Sequence, residues 1–437
     1  MLLACLVWAV TFPSYEETIA LPSPVKESAL LRFTDRYVGQ FVCCLLSLFK
    51  RKRKISACRR ILFIEFFEMG AAIMSYSALK YVKNKLPECE LHVLCMGGSK
   101  ESWELLGLVP VQNIHGVEGK DMLRFLFSVL GTLGGLRRKR FDLVVDLDKF
   151  TRLSAIASFL VGARQVAGFY RYEYEGLYRG DLVDIPCAFN QNAHIAKNFL
   201  ALCKVALAEK QHYPNYKGPV ESSEILLPSF KSDPDLARQV KERVRVIFPD
   251  WREDPLVLVN PDVGPNLPIR NYPAGHYAKV ISGILGRSAE TRVLLIGVPE
   301  NAAVCEKIVT TVRNDRCRNF CGGTRSLVEL LELINFSRLL ISNDNGPAHF
   351  ASLTPTPIVA LFSTDSPFVY GPLGNCVILY TFFHCSPCIS VLNNKRSRCT
   401  NNLCLQTLEP AKVLESAMRV MEGQVTYRTI NGEWSYL

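Results

Sequence analysis

Apolar residues along much of this chain fall in short unbroken runs rather than in alternating patterns. Runs at 61–64, 91–95, 143–146, 256–259, 293–296, 339–341 and 357–362 are bounded by turn formers or charges, as expected of strands buried in a parallel sheet. Between them, the segments 71–86, 121–136, 154–160, 195–208, 274–285, 300–312 and 326–335 read as helices. Strand and helix thus alternate twice over, which predicts βαβ units in two successive α/β domains. A polar, proline-bearing stretch from Tyr213 to Pro219, and on to Asp233-Pro234, separates the two series and is the expected linker. The division is an extension at 1–54, a first domain at 55–220, a second at 221–409 and a terminal helix within 410–437. A ligand is expected in the cleft between the domains, at the carboxyl ends of the strands.

Charge alters this picture only locally. The formal charge of the 437 residues is +10, but Lys50, Arg51, Lys52, Arg53, Lys54, Arg59 and Arg60 supply seven positives within eleven residues, and without them +3 remains. That is a patch rather than a field, so no nucleic-acid partner is expected. Most of the 16 cysteines sit singly in apolar runs, which suits core packing in a reducing cytoplasm. Residues 1–12 are apolar but lack a basic leader and are too short to span a bilayer. The apolar run at 38–49 meets the basic block directly. It reads as a helix lying peripherally in a membrane interface, or as a helix packed on the domain with a solvated charged tail.

The richest chemistry lies between the last two strands of the second series. Ser342-Asn343-Asp344-Asn345-Gly346-Pro347-Ala348-His349-Phe350-Ala351 opens a helix at Gly346-Pro347, with proline where its missing N–H costs nothing. A helix start at the carboxyl edge of a strand is suited to an anion, and Asp344 and His349 flank it. The segment reads as a nucleotide-diphosphate pocket. Asp344 as a helix N-cap and His349 as a satisfied buried histidine are the alternatives.

Further segments, taken in order, resemble glycosyltransferase family 9, which includes the lipopolysaccharide heptosyltransferases. Asn260-Pro261 and Arg270-Asn271-Tyr272-Pro273 stand where the family has Lys-Arg-Trp-Pro in the latter segment. Ile296-Gly297-Val298-Pro299-Glu300, Cys321-Gly322-Gly323-Thr324-Arg325-Ser326-Leu327 and Asp344-Asn345-Gly346-Pro347-Ala348-His349 look like its remaining donor-side motifs. Ala193-His194-Ile195-Ala196 resembles the start of its helix before the interdomain linker. The resemblance implies a GT-B fold: two Rossmann-like domains facing a cleft, acceptor on the first, nucleotide-sugar donor on the second, with the terminal helix returning to the first domain. It also implies inverting transfer without a metal or other cofactor, for which ADP-heptose and a lipopolysaccharide core are the best-known pair. Arg270 is the candidate cation for the diphosphate. Glu300 is the candidate for the ribose hydroxyls, and Asp344, Asn345, Gly346 and His349 complete the donor set.

One departure stands out. The family has Gly-Asp where this chain has Gly70-Ala71, and alanine takes no proton. Glu68 in the same loop is the candidate general base. If it does not serve, the chain is a catalytically silent nucleotide-sugar-binding or scaffold protein at the membrane. The absence of Gly-x-Gly-x-x-Gly after 61–64 argues against a dinucleotide oxidoreductase. Cys385, Cys388, Cys399 and Cys404 are spaced as a loose zinc clamp, and disulfides or free thiols suit the same spacing. The expected activity is transfer of a sugar from a nucleotide diphosphate donor to a lipid-linked glycan, at the inner face of the inner membrane.

Overall fold

A computed structural model of the chain describes residues 33–50, 57–66, 68–119, 122–149, 151–169, 179, 181–209, 216–261, 267–393 and 397–437. The apolar segment 1–12, the basic residues 51–54 and part of the expected linker lie outside these residues. A π-helical turn at Asp35–Gly39 runs into α1 (Gln40–Ser47). The first domain then comprises β1 (Arg60–Ile64), α2 (Met69–Lys85), β2 (Glu90–Met96), α3 (Lys100–Glu104), β3 (Ile114–Val117), α4 (Met122–Lys139) and β4 (Leu143–Asp146). It is completed by α5 (Arg152–Leu160), β5 (Gln165–Phe169), β6 (Ile185–Cys187) and α6 (Ile195–Ala206).

The second domain contains α7 (Pro234–Ile247), β7 (Leu256–Asn260), α8 (Ala274–Arg287), β8 (Arg292–Leu295), α9 (Ala302–Val312) and β9 (Cys317–Asn319). There follow α10 (Leu327–Asn335), β10 (Leu339–Asn343), α11 (Gly346–Ala351), β11 (Ile358–Leu361), β12 (Cys376–Leu379), α12 (Pro410–Met421), β13 (Thr429–Ile430) and β14 (Trp434–Ser435).

The sheets repeat one topology. The first has the order β3-β2-β1-β4-β5-β6 and the second β14-β13-β12-β11-β10-β7-β8-β9. All neighbouring strands pair in parallel except β13 and β14. In each sheet the winding reverses at one place, between β1 and β4 and between β7 and β10. Such switch points open a crevice at the carboxyl ends of the strands. The strands that flank them, such as β7 and β10, are buried along their whole length, which is why their sequences read as continuous apolar runs.

Two expectations need correction. Asp233-Pro234, read as the far end of the linker, starts α7: Asp233 caps it and Pro234 occupies its first turn. Its buried stripe at Val240 and Val244 is continued at helical spacing by Leu236 and Ile247 and is set among charged residues. The terminal helix α12, expected on the first domain, packs on α8, β10 and β11 of the second, burying Val413, Ala417 and Val420. Residues beyond it make the return instead, with the Tyr436 ring stacked 6.1 Å from that of His194.

The domains meet over a continuous apolar core. Ala71 and Ile73 of α2 and Phe199 of α6 belong to the same cluster as Leu331 of α10 and Ala348 and Phe350 of α11. Polar contacts also cross the cleft. His194 caps α6, and its Nε2 lies 2.8 Å from the carbonyl oxygen of Gly371. Glu101 Oε1 accepts the amides of Leu327 and Val328 at the start of α10.

Candidate active site

The donor side is built on the second switch point. Three asparagines tie the ends of β7 and β10 together. Asn345 Nδ2 donates to Asn260 Oδ1 at 2.8 Å, and its Oδ1 accepts Ser342 Oγ at 2.8 Å. Asn343 Nδ2 donates to the carbonyl of Pro261, and its Oδ1 accepts the Tyr277 hydroxyl at 2.9 Å. Asn345 is the N-cap of α11, yet its side chain makes no cap hydrogen bond, because these neighbours engage it. The first-turn amides are therefore left uncapped by that side chain. With six residues, α11 carries little macrodipole, so Arg270 is the nearest cation, its charge offset by Asp344 and Asp365.

Arg270 lies beside Asp344. Its Nε lies 3.6 Å from Asp344 Oδ2 and 3.3 Å from Thr364 Oγ1. Nη1 donates to the Asp344 carbonyl at 3.3 Å, and Nη2 pairs with Asp365 Oδ2. Asp344 is thus an anchor for the guanidinium rather than the cap of α11. Asp365 was missed by the sequence reading. It is buried after β11 and only the fold carries it beside Arg270; its one signal is the turn-rich Thr364-Asp365-Ser366-Pro367 behind an apolar strand. These contacts use part of a fork with five N–H donors, and no described residue takes the remainder.

Gly346 and His349 follow in α11, with His349 buried at the domain boundary. A Cβ added to Gly70 would lie 2.7 Å from His349 Cδ2. The start of α2 therefore presses directly on α11, and the loop carrying Glu68 is brought to the donor side. Glu300 sits exposed at the carboxyl end of β8, on the same sheet edge. No hydrogen bond or ion pair joins it to Arg270, Asp344 or His349 among the described residues.

On the acceptor side, Glu65, Glu68, Asp146 and Asp148 converge at the ends of β1 and β4. Asp146 pairs with Arg179, whose Nη1 also donates to the Asp148 carbonyl at 2.8 Å. Asp148 accepts the amide of Phe66 at 3.1 Å. Burial, followed by the Asp146 charge, pushes its carboxyl up to about 7. Glu65 is pushed well above the usual range by burial, then by Asp148 and Glu68. Both would hold protons readily, but they and Asp146 are at most 1% exposed. The Glu68 side chain keeps 16% exposure, so it is the member of the group within a substrate's reach. Its Oε2 accepts Lys149 Nζ at 2.6 Å, and the buried Lys149 stacks over Phe199 and Tyr370. Ala71 is fully buried in the interdomain core, in surroundings that favour alanine over a carboxylate.

Cys385, Cys388, Cys399 and Cys404 are free thiols. Among the described residues, no three or more His, Cys, Asp or Glu side chains are placed to hold a metal ion; residues 394–396 of the intervening loop lie outside that set. Among the same residues, no helix is long and apolar enough to cross a membrane.

Two doubly wound domains face each other through their switch points, with Arg270 between Asp344 and Asp365 on one and the partly exposed Glu68 on the other. This is the GT-B architecture of nucleotide-sugar-dependent glycosyltransferases. The sequence signature of glycosyltransferase family 9 (heptosyltransferase) matches residues 132–396, well over half the chain, and the protein belongs to that family. Lipooligosaccharide heptosyltransferase 2 of Haemophilus ducreyi is 22% identical over 330 residues, 73% of this chain and 88% of that protein. The Campylobacter jejuni protein of the same name is 25% identical over 159 residues, 35% of this chain, and the match spans about half (47%) of its length. In three dimensions the chain resembles the E. coli ADP-heptose lipopolysaccharide heptosyltransferase II, with TM-score 0.63, 19% identity and coverage of 84% of this chain and 99% of that one.

Proposed function

We propose that this protein transfers a heptose-like sugar from an ADP-sugar to a lipid-linked glycan of lipopolysaccharide type. The observation that carries the reading is the contact of Gly70 with His349, which sets the Glu68 loop against the arginine-centred site. The second domain holds the donor. Arg270, fixed by Asp344 and Asp365, meets the diphosphate, Asn345, Gly346 and His349 line the same edge, and Glu300 takes the ribose. As the glycosidic bond breaks, charge grows on the leaving diphosphate, and a preorganised guanidinium favours that state. This supports transfer without a metal.

Glu68 is the proposed base that removes the proton of the attacking acceptor hydroxyl from the face opposite the leaving group, giving inversion. Lys149 holds its carboxylate in place. The names of the relatives support ADP-heptose and a lipopolysaccharide acceptor, and an acceptor anchored in lipid supports a position at the cytoplasmic face of the inner membrane. The silent-binder reading draws on Ala71 and on the ion pair that occupies Glu68.

The experiment is ADP release from ADP-heptose with a heptose-deficient lipopolysaccharide acceptor. Glu68→Gln is expected to reduce turnover by about 10²-fold or more while ADP still raises the melting temperature. ADP stabilisation without turnover in the wild type would sink the enzyme and leave the silent binder. Loss of turnover on adding EDTA would refute metal independence.

A further inference from the structure

The described part of the N-terminal extension, residues 33–50, is docked on the first domain. Asp35 Oδ1 accepts the amides of Arg152 and Leu153 and so caps α5. Gly39 lies so close to Arg152 that an added Cβ would stand 2.9 Å from the arginine Cβ. Cys43 is buried against Ala155 and Leu182, and Ser47 Oγ accepts the amide of Asp181 at 2.7 Å. This stripe, one residue in every turn, meets the needs of a helix packed on its own domain. Yet the other side of α1 is also apolar: Tyr37, Phe41, Leu45 and Leu48 are exposed, Leu48 to 79%.

A second helix repeats the anomaly. On α4, Val129, Leu133 and Leu136 face the core, while Leu126, Phe127 and Leu130 face outward, Phe127 to 71%. Both helices rest on α5. Both also run the same way. α4 starts after the carboxyl end of β3, and the turn leading into α1 starts where Asp35 caps α5, just beyond the carboxyl end of β4. Bases follow each: Arg137, Arg138 and Lys139 close α4, and Arg51, Lys52, Arg53 and Lys54 follow α1 in the sequence, beyond Lys50, which pairs with Asp184.

Single exposed apolar residues need no explanation, whereas a contiguous patch does. Two helices on one support, apolar outward and each followed in the sequence by bases, match a surface with an apolar interior and anionic headgroups. We propose that α1 and α4 together form a membrane-docking platform that seats the first domain on an anionic bilayer, with both helices in the interface. The starts of the helices lie at the strand ends that form the acceptor rim. Docking there puts the mouth of the Glu68 cleft beside the bilayer, where a lipid-anchored acceptor enters without leaving it. This deepens the membrane location in the proposed function and rests on no step of the transfer chemistry.

The test is co-sedimentation of the full chain with vesicles of phosphatidylethanolamine and phosphatidylglycerol, and with vesicles of phosphatidylcholine alone. The wild type is expected to pellet with the anionic vesicles and to be released at high salt. Leu126→Ser/Phe127→Ser/Leu130→Ser in α4 and Phe41→Ser/Leu45→Ser in α1 should each weaken binding by at least about tenfold. Their circular dichroism and melting should match the wild type. Unchanged binding of the α4 variant overturns the two-helix platform. So does a wild-type chain that ignores vesicles but forms a dimer dissolved by the same substitutions, since the face then joins copies of the protein. ADP stabilisation is followed in parallel: its absence in the wild type counts against the donor site alone, and its survival in the variants shows that docking was lost without it.

Discussion

Arg270 is largely buried between two carboxylates, so its removal strands negative charge as well as deleting a phosphate ligand. Arg270→Ala is expected to destabilise the fold by about 3 kcal/mol in urea unfolding and to abolish ADP stabilisation. Arg270→Lys keeps the charge but loses the fork, and should restore stability better than nucleotide affinity. His194 makes a prediction of a different kind. Burial pushes its pKa down to about 4, against about 6.5 in an unfolded chain. Between those values the unfolded chain binds a proton that the folded one refuses. The stability due to neutral His194 is therefore complete above about pH 6.5 and is lost as the pH falls to about 4, by at most about 3 kcal/mol. His194→Gln should lower stability at pH 7.5 and flatten the wild-type loss between pH 7 and 4.5. Asp148, raised to about 7, acts in the opposite sense, so the difference between wild type and variant is the quantity to read. An unchanged slope would refute the assignment.

At the scale of elements, the critical contact is α2 against α11. Gly70→Ala would push a methyl group to 2.7 Å from His349 Cδ2 in a packed interface. A cost of about 1–3 kcal/mol is expected, with turnover falling more than ADP stabilisation, because the substitution parts Glu68 from the donor side. A neutral effect on both melting and turnover would show that the contact does not hold the cleft closed. The central strands were legible in the sequence, since β1, β4, β7 and β10 are buried on both faces and must read as apolar runs. Three edge strands were not. β3 is Ile-His-Gly-Val, β6 Ile-Pro-Cys and β9 Cys-Arg-Asn, each too short and mixed to show a period. For α7 the Asp-Pro pair reads equally as a turn and as a cap with its first-turn proline, and only the spacing of Leu236, Val240, Val244 and Ile247 beyond it favours the helix.

Across the whole molecule the two domains share one apolar core besides the His194–Gly371 and Glu101–α10 hydrogen bonds. Interfaces between domains are ordinarily more polar and permit independent motion. Here a single cooperative calorimetric transition is expected, with calorimetric and van't Hoff enthalpies in agreement. Two resolved transitions would refute the shared core. The same closeness explains why the terminal helix could leave the first domain without loosening the molecule: α12 is committed to α8, and Tyr436 closes the gap at His194.

The sequence by itself determined two parallel-sheet domains and the segment from Asp344 to His349, because buried strands and helix starts impose their residue types locally. It also marked Ala71 as a departure and Glu68 as the nearest carboxylate. Only the tertiary structure decided which groups stand together. Asp365 joins Arg270 from another strand, Lys149 and Arg179 organise the acceptor carboxylates, and Gly70 meets His349 across the cleft. Those pairings depend on the order in which strands lie side by side, and chain order alone does not carry it. The structure likewise gave α1 its two apolar faces, since a run of apolar residues shows that a helix will bury something but not how many surfaces it must satisfy.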